Sequence, residues 1–181
     1  FNITDNDTNQ LFEDQIEVTV DRNSGLMGLA IDPNYEENRR IYLQYSYRNE
    51  SASPEMDLMN RISSFRFDEQ GLTDERILEE GIEINRHHTG GRLEIGPDGA
   101  LYATVGESNG PSKVARILRL NTETGESEVF SNGHRNPQGI AWHPDTKLLY
   151  SSEHGTNRMD EINLIEKAKN SGLLHWLSAG P

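Results

Sequence analysis

The chain has 181 residues, a formal net charge of -13, 33% hydrophobic residues and no cysteine. That length suits one ordinary domain with a core. The missing cysteine excludes disulfides and thiolate chemistry, and is compatible with an exported protein. The acidic balance argues against a nucleic-acid binder and suits cation ligands such as Ca²⁺. No apolar run approaches the ~20 residues of a membrane span.

The chain begins Phe1-Asn2-Ile3-Thr4, without an initiator Met or signal-peptide pattern, and reads as processed or as a fragment. Residues 1–15 are polar and weakly patterned. Gln15 to Val20 alternate as a half-exposed strand does. Leu29-Ala30-Ile31 is a strand stopped by Asp32-Pro33-Asn34. Ile41 to Tyr47 and Ile62 to Phe67 follow as strands, Gly71-Leu72-Thr73 as a turn, and Ile77 to Glu83 as a fourth strand. A second unit runs through Leu93 to Ile95, the turn Gly96-Pro97-Asp98-Gly99, Leu101 to Val105, Ala115 to Asn121 and a short outer strand, Ser127 to Phe130. A third opens on the polar stretch Asn132 to Gly139, read as a ligand-presenting loop. It continues through Ile140 to Trp142, Leu148 to Ser152, the polar loop Glu153 to Asn157, and Asp160 to Ile165. Lys167 to Pro181 lacks clear pattern.

These units repeat one form: Gly, a short apolar strand, Pro, then Asp or Asn. It occurs at Gly28 to Asn34, Gly91 to Asp98 and Gly139 to Asp145. Helical periodicity is almost absent. Short strands joined by Gly/Pro turns at this period predict an all-β fold, a β-propeller rather than a sandwich. Closure needs typically 4–8 blades, and the chain supplies roughly three.

In each unit a polar, Gly-rich stretch precedes the first strand. In a propeller the equivalent ends of innermost strands meet around the axis, so Asn23, His88 and Arg135 are expected on one face. His88 is the candidate general base, because imidazole accepts a proton near neutral pH. Gly90 and Gly91 beside it let a ligand approach the backbone. Arg135, a fixed cation with a planar fork, suits a carboxylate or a carbonyl that gains charge. Both could instead be satisfied structural residues. The histidines between His87 and His154 lack zinc or copper spacing. Hard oxygen ligands favour Ca²⁺, with the carbonyls of Gly155 and Thr156 and the carboxylate of Glu161 as candidates. Rossmann, P-loop and nucleophile-elbow motifs are absent.

Four segments in this order, GLMGLAIDPNYEENRRIYLQYSY, HHTGGRLEIGPDGALYATVGE, GHRNPQGIAWHPDTKLLYSSEHG and DEINLI, resemble the PQQ-dependent soluble sugar dehydrogenases. The branch they are most similar to is that of the aldose sugar dehydrogenases, grouped with the glucose/sorbosone dehydrogenases. The resemblance runs from about Gln15 to Ile165. It implies a six-bladed β-propeller that binds pyrroloquinoline quinone (PQQ) and Ca²⁺ and oxidises aldoses at C1 to lactones. It implies that His88 takes the sugar hydroxyl proton while hydride passes to the quinone. Arg135 would polarise the quinone carbonyl, and Asn136, Asn23 and His154 would contact the cofactor. Gly155 and Thr156 would offer carbonyls to the active-site Ca²⁺, and Glu161 would belong to a second, structural Ca²⁺ site. Asn23 stands where the family commonly has Gln or Glu, and Thr156 replaces a common Pro.

The partners so implied are an aldose and an external electron acceptor, with no nucleic acid and no membrane span. A periplasmic or secreted location fits, and homodimerisation is open. Two other functions are carried beside this one: a Ca²⁺-dependent propeller lactonase, and a non-catalytic binding propeller such as hedgehog-interacting protein, which resembles the same family. Fold alone does not choose among them.

Overall fold

A computed structural model describes residues 16–53, 57–69, 71–108, 115–156 and 159–168. Among these residues three antiparallel sheets follow one another. The first has the order β1 (Leu26–Ile31), β2 (Arg40–Arg48), β3 (Leu58–Asp68), β4 (Gly71–Glu83). The second has the order β5 (Gly90–Ile95), β6 (Leu101–Val105), β7 (Ala115–Leu120), β8 (Ser127–His134). The third holds β9 (Pro137–Trp142), β10 (Leu149–Glu153) and β11 (Glu161–Ile165), with β10 central. Each sheet is a meander, and the first strands touch in series, β1 against β5 and β5 against β9. This is the arrangement of consecutive propeller blades, with β1, β5 and β9 innermost.

The strand sequences follow from that packing. The second sheet is sandwiched between the other two, so every residue of β6 is buried and the segment reads as a continuous run, Leu-Tyr-Ala-Thr-Val. One core fills the seam between the first and second sheets, with Tyr42, Ile62, Leu93 and Leu101 in it. Another lies between the second and third and contains Tyr102, Ile117, Ile140, Leu149 and Ile165. There Tyr102 meets Phe130 and Trp142 edge-on, with ring centroids 5.1 and 5.0 Å apart. Such pairs contribute about 0.5–1.5 kcal/mol each beyond area burial. At the two ends of the stack apolar residues face solvent: Leu29 and Ile31 on the first sheet, Ile162 and Leu164 on the third.

Several sequence expectations change. Ile16 to Val20 form no strand; one bond, Thr19 N to Ser46 O at 2.8 Å, ties them to β2. Their alternation reflects packing instead, because Ile16 and Val18 cover Ile41, Leu43, Tyr45 and Phe65. Asp32-Pro33-Asn34 does stop β1, but the chain then makes one helical turn, α1 (Tyr35–Asn38). Asp32 starts that turn by accepting Asn34 N on its carboxylate at 2.8 Å and Tyr35 N on its carbonyl at 2.9 Å. Gly71 is not in a turn; it opens β4 opposite Asp68. Asn132 to Gly139 is not an open loop, because β8 runs to His134 and β9 begins at Pro137. Only Arg135 and Asn136 link the second sheet to the third. Residues 1–15, most of Lys167 to Pro181 and part of the Ser108 to Ser112 loop fall outside the described residues.

Candidate active site

In a meander the start of each first strand and the end of each second strand share one edge of the sheet. The stretches before β1, β5 and β9 therefore meet the segments leaving β6 and β10. Backbone bonds join them. Asn85 N donates to Glu107 O at 3.1 Å, Glu107 N to Arg135 O at 2.8 Å, and His154 N to Asn136 O at 3.2 Å.

His88 stands at the centre. Its Nδ1 lies 2.5 Å from Glu107 Oε1, and its Nε2 lies 3.0 Å from Arg135 Nη2. A guanidinium only donates, so Nε2 must be the accepting nitrogen. Nδ1 then carries the hydrogen and gives it to the Glu107 carboxylate. This is the tautomer a general base needs: a lone pair on the outward nitrogen, and a carboxylate behind the ring to orient it and to stabilise the imidazolium. The turn that presents His88 is closed by His88 N to Asn85 O at 3.0 Å and His87 N to Asn85 Oδ1 at 2.9 Å. Gly106 is required beneath it, since a Cβ there would collide with the His88 carbonyl.

The Arg135 guanidinium is shared among three partners. Besides His88, its Nη1 donates to the carbonyls of His154 at 3.1 Å and Gly155 at 2.8 Å. Two main-chain oxygens thus converge on one cationic group. Asn136 is buried, and its Oδ1 accepts Gly90 N at 3.1 Å. Gly90 holds a φ of 65°, where a Cβ would run into Thr104 O and Gly106 N. Asn23 is exposed; its Nδ2 donates to His87 O at 2.9 Å and its carbonyl accepts Thr89 Oγ1 at 3.0 Å. Asn23, His88, Arg135, Asn136, His154 and Gly155 are therefore brought to one edge. Thr156 and Glu161 are engaged separately: Thr156 O accepts Met159 N at 3.1 Å, and the exposed Glu161 carboxylate accepts Asn163 Nδ2 at 3.2 Å. His154 is exposed, with Nδ1 3.6 Å from Asp160 Oδ2. Beside this edge a cavity of about 530 Å³ is lined by Arg92, Gln138, Ser152, His154, Asp160 and Glu161, among others.

Two carboxylates of the site escape a reading by sequence. Glu107 ends the segment after β6. The register carries the signal: Gly90 pairs with Val105, and two residues further out His88 stands opposite Glu107. Glu153 ends β10, 7% exposed. It accepts Arg135 N at 2.8 Å and Asn163 Nδ2 at 2.6 Å, and faces His134 Nδ1 at 3.2 Å. Burial alone would raise the Glu153 pKa; the hydrogen bonds from His134 and Arg135 N, the His134 charge and Asn163 outweigh it, so the net shift is downward.

The arrangement fits the implied groups in part. A polyanionic quinone needs a cation and amide donors; Arg135 is a cation at this edge, and Asn23 and Asn136 carry side-chain amides there, that of Asn23 donating to His87 O. A hard cation needs converging oxygens; the His154 and Gly155 carbonyls converge, but on Arg135 Nη1, one residue earlier than the expected Gly155–Thr156 pair. Among the described residues no group of three or more His, Asp or Glu is arranged to hold a metal, so Ca²⁺ here would rest on main-chain oxygens. Among the same residues no helix is long and apolar enough to cross a membrane.

Comparison with known proteins agrees with this architecture. The family model described as Glucose / Sorbosone dehydrogenase matches residues 2–120 and 118–176. Quinoprotein glucose dehydrogenase B of Acinetobacter calcoaceticus is 31% identical over 193 residues, covering 84% of this chain and 40% of that protein. Aldose sugar dehydrogenase YliI of Escherichia coli is 30% identical over 172 residues, covering 82% and 45%. The PQQ-bound aldose sugar dehydrogenase of Streptomyces coelicolor superposes with a TM-score of 0.72 at 33% identity, covering 90% of this chain and 51% of that one. The chain spans about half the length of these relatives, and its three sheets are about half of a propeller ring. The chain belongs to the glucose/sorbosone dehydrogenase family.

Proposed function

We propose that these three blades are half of a quinoprotein aldose dehydrogenase, which oxidises an aldose at C1 to the lactone and passes electrons to an external acceptor. When bound, PQQ would supply the two-electron acceptor for the C1 hydride. His88 takes the C1 hydroxyl proton on Nε2, while Nδ1–H stays on Glu107, whose charge stabilises the imidazolium. Arg135 occupies Nε2 in the resting arrangement, so it must turn off that nitrogen before the base can act. Its guanidinium then serves an oxygen that gains negative charge. Asn23, Asn136 and His154 contact the cofactor. The carbonyls of Gly155 and Thr156 would hold Ca²⁺, and Glu161 would belong to a second ion. The absence of cysteine and the acidic balance suit export to the periplasm or medium.

The observation that carries this reading is the Glu107–His88–Arg135 line, a base with its orienting carboxylate next to a fixed cation. A second reading, a Ca²⁺-dependent lactonase, draws on the converging His154 and Gly155 carbonyls, but it leaves the Arg135–Asn136 pair without a task. The test is reconstitution of the complete propeller with PQQ and Ca²⁺, followed by dye reduction with a panel of aldoses and hydrolysis of the corresponding lactones. Aldose-dependent, PQQ-dependent dye reduction supports the dehydrogenase. Lactone hydrolysis that needs Ca²⁺ and ignores PQQ overturns it.

A further inference from the structure

The Arg135 backbone sits in the two-residue gap between β8 and β9. The β7–β8 ladder reaches His134, opposite Ala115, and the β9–β10 ladder starts at Pro137, opposite Glu153. No ladder bond therefore holds the Arg135 N–H. The partner it has is a side chain, the Glu153 carboxylate at 2.8 Å. The other Glu153 oxygen accepts Asn163 Nδ2 at 2.6 Å and faces His134 Nδ1 at 3.2 Å. His134 is wholly buried, and its Nε2 lies 3.0 Å from Ser131 Oγ. The carboxylate is thus clamped from β8 through His134 and from β11 through Asn163, and it clamps the one backbone amide from which the Arg135 side chain departs.

We infer that Glu153 is the positioning residue of this site: it fixes the Arg135 backbone so that the guanidinium reaches His88 Nε2 on one side and the His154 and Gly155 carbonyls on the other. The consequence for function rests on the dehydrogenase reading; the geometric statement does not. Arg135 carries its charge on a long, rotamer-rich side chain, and such a group is useful only when its anchor is fixed. A neutral hydrogen-bonding residue would not serve at Glu153. Three donors point at this side chain, and only a carboxylate accepts from all three without presenting a donor of its own.

The test uses Glu153→Gln with Ser131→Ala as its matched control. Gln keeps the volume but turns an amide NH₂ toward a donor. Ser131→Ala removes a bond from the same buried cluster and leaves the Arg135 amide alone. Two readouts are taken: the His88 imidazole ¹⁵N resonances without cofactor, which report donation from Arg135 to Nε2, and PQQ affinity by Trp fluorescence. Glu153→Gln is expected to move the His88 Nε2 resonance and to weaken PQQ binding at least tenfold. Ser131→Ala is expected to lower Tm while leaving the His88 resonances unchanged and PQQ affinity within twofold. Glu153→Asp, which keeps the charge on a shorter arm, should restore part of both and covers the case in which Glu153→Gln does not fold. Wild-type His88 resonances in Glu153→Gln, or equal changes in both variants, would overturn the inference. If wild-type protein binds no PQQ, the dehydrogenase reading fails while the ¹⁵N comparison still decides the role of Glu153.

Discussion

Arg135 Nη2 lies 3.0 Å from His88 Nε2, so the proposed base and the proposed electrophile rest on each other before any ligand arrives. The contact assigns the histidine tautomer, with the Nε2 lone pair taken up by the guanidinium in the resting arrangement. It also links two roles. Under the proposed function Arg135 would contact the cofactor in the ground state and more strongly as charge develops, so Arg135→Ala should weaken PQQ binding and lower kcat together. Fluorescence titration with PQQ and steady-state dye reduction check this. An unchanged Kd with reduced kcat would remove Arg135 from cofactor binding.

Glu107→Gln tests the tautomer. The carboxylate accepts the Nδ1 hydrogen at 2.5 Å. Gln would present an amide N–H to Nδ1 and drive the hydrogen to Nε2, where the base needs its lone pair. Turnover should fall by about 10²–10⁴-fold with little change in PQQ affinity. Glu107→Ala, which leaves the tautomer free, should be less damaged in proton transfer than Glu107→Gln. The opposite order would argue against the orienting role.

Asp32 gives the fold a defined pH dependence. Burial alone would raise its pKa. The Tyr42 hydroxyl at 2.5 Å, Asn34 N, Asn38 and Arg40 outweigh that and hold it below the ordinary value. Tyr42 in turn is pushed up to about 12 by burial and by Asp32. A carboxyl whose pKa is lowered on folding stabilises fully above its unfolded value, and the stability is lost as pH falls through the folded one. Asp32→Asn should therefore melt below wild type at pH 7, and the gap should close only as pH falls below the ordinary Asp value of about 3.9. A gap that persists undiminished in acid would assign the effect to hydrogen bonding alone.

The end faces of the stack predict association of the isolated 181-residue chain. Leu29 is 57% exposed on the first sheet and Ile162 is 81% exposed on the third. Apolar sheet faces left in water bind one another. Sedimentation should show species heavier than the 20.5 kDa monomer, and Leu29→Lys with Ile162→Lys should shift them toward it. A monomeric, cooperative melt of the unmodified chain would contradict this.

The strands and their blade-like grouping were legible because Gly, Pro and Asp punctuate each unit at the same place. The convergence of Asn23, His88 and Arg135 followed from that repetition, since equivalent strand ends share a face. Other features were not legible, each for a physical reason. Ile16 and Val18 alternate because they cover one face of β2, and periodicity cannot tell covering from pairing. Tyr35–Asn38 is a single turn, too short to show a helical period. The polarity of Asn132 to Gly139 suggests an open loop; much of it is buried, with His134 against Glu153 and Asn136 accepting Gly90 N. Glu107 and Glu153 lie far from their partners in sequence, and only the register of the sheets brings them in.

Single-turnover reduction of bound PQQ by an aldose, in wild type and His88→Gln, measures the central claim most directly. Gln keeps a polar side chain of similar reach and cannot take the hydroxyl proton. The account predicts that His88→Gln binds PQQ nearly as wild type does and reduces it about 10²–10⁴-fold more slowly, the share that general-base catalysis supplies. A folded His88→Gln protein that reduces PQQ at the wild-type rate would contradict it.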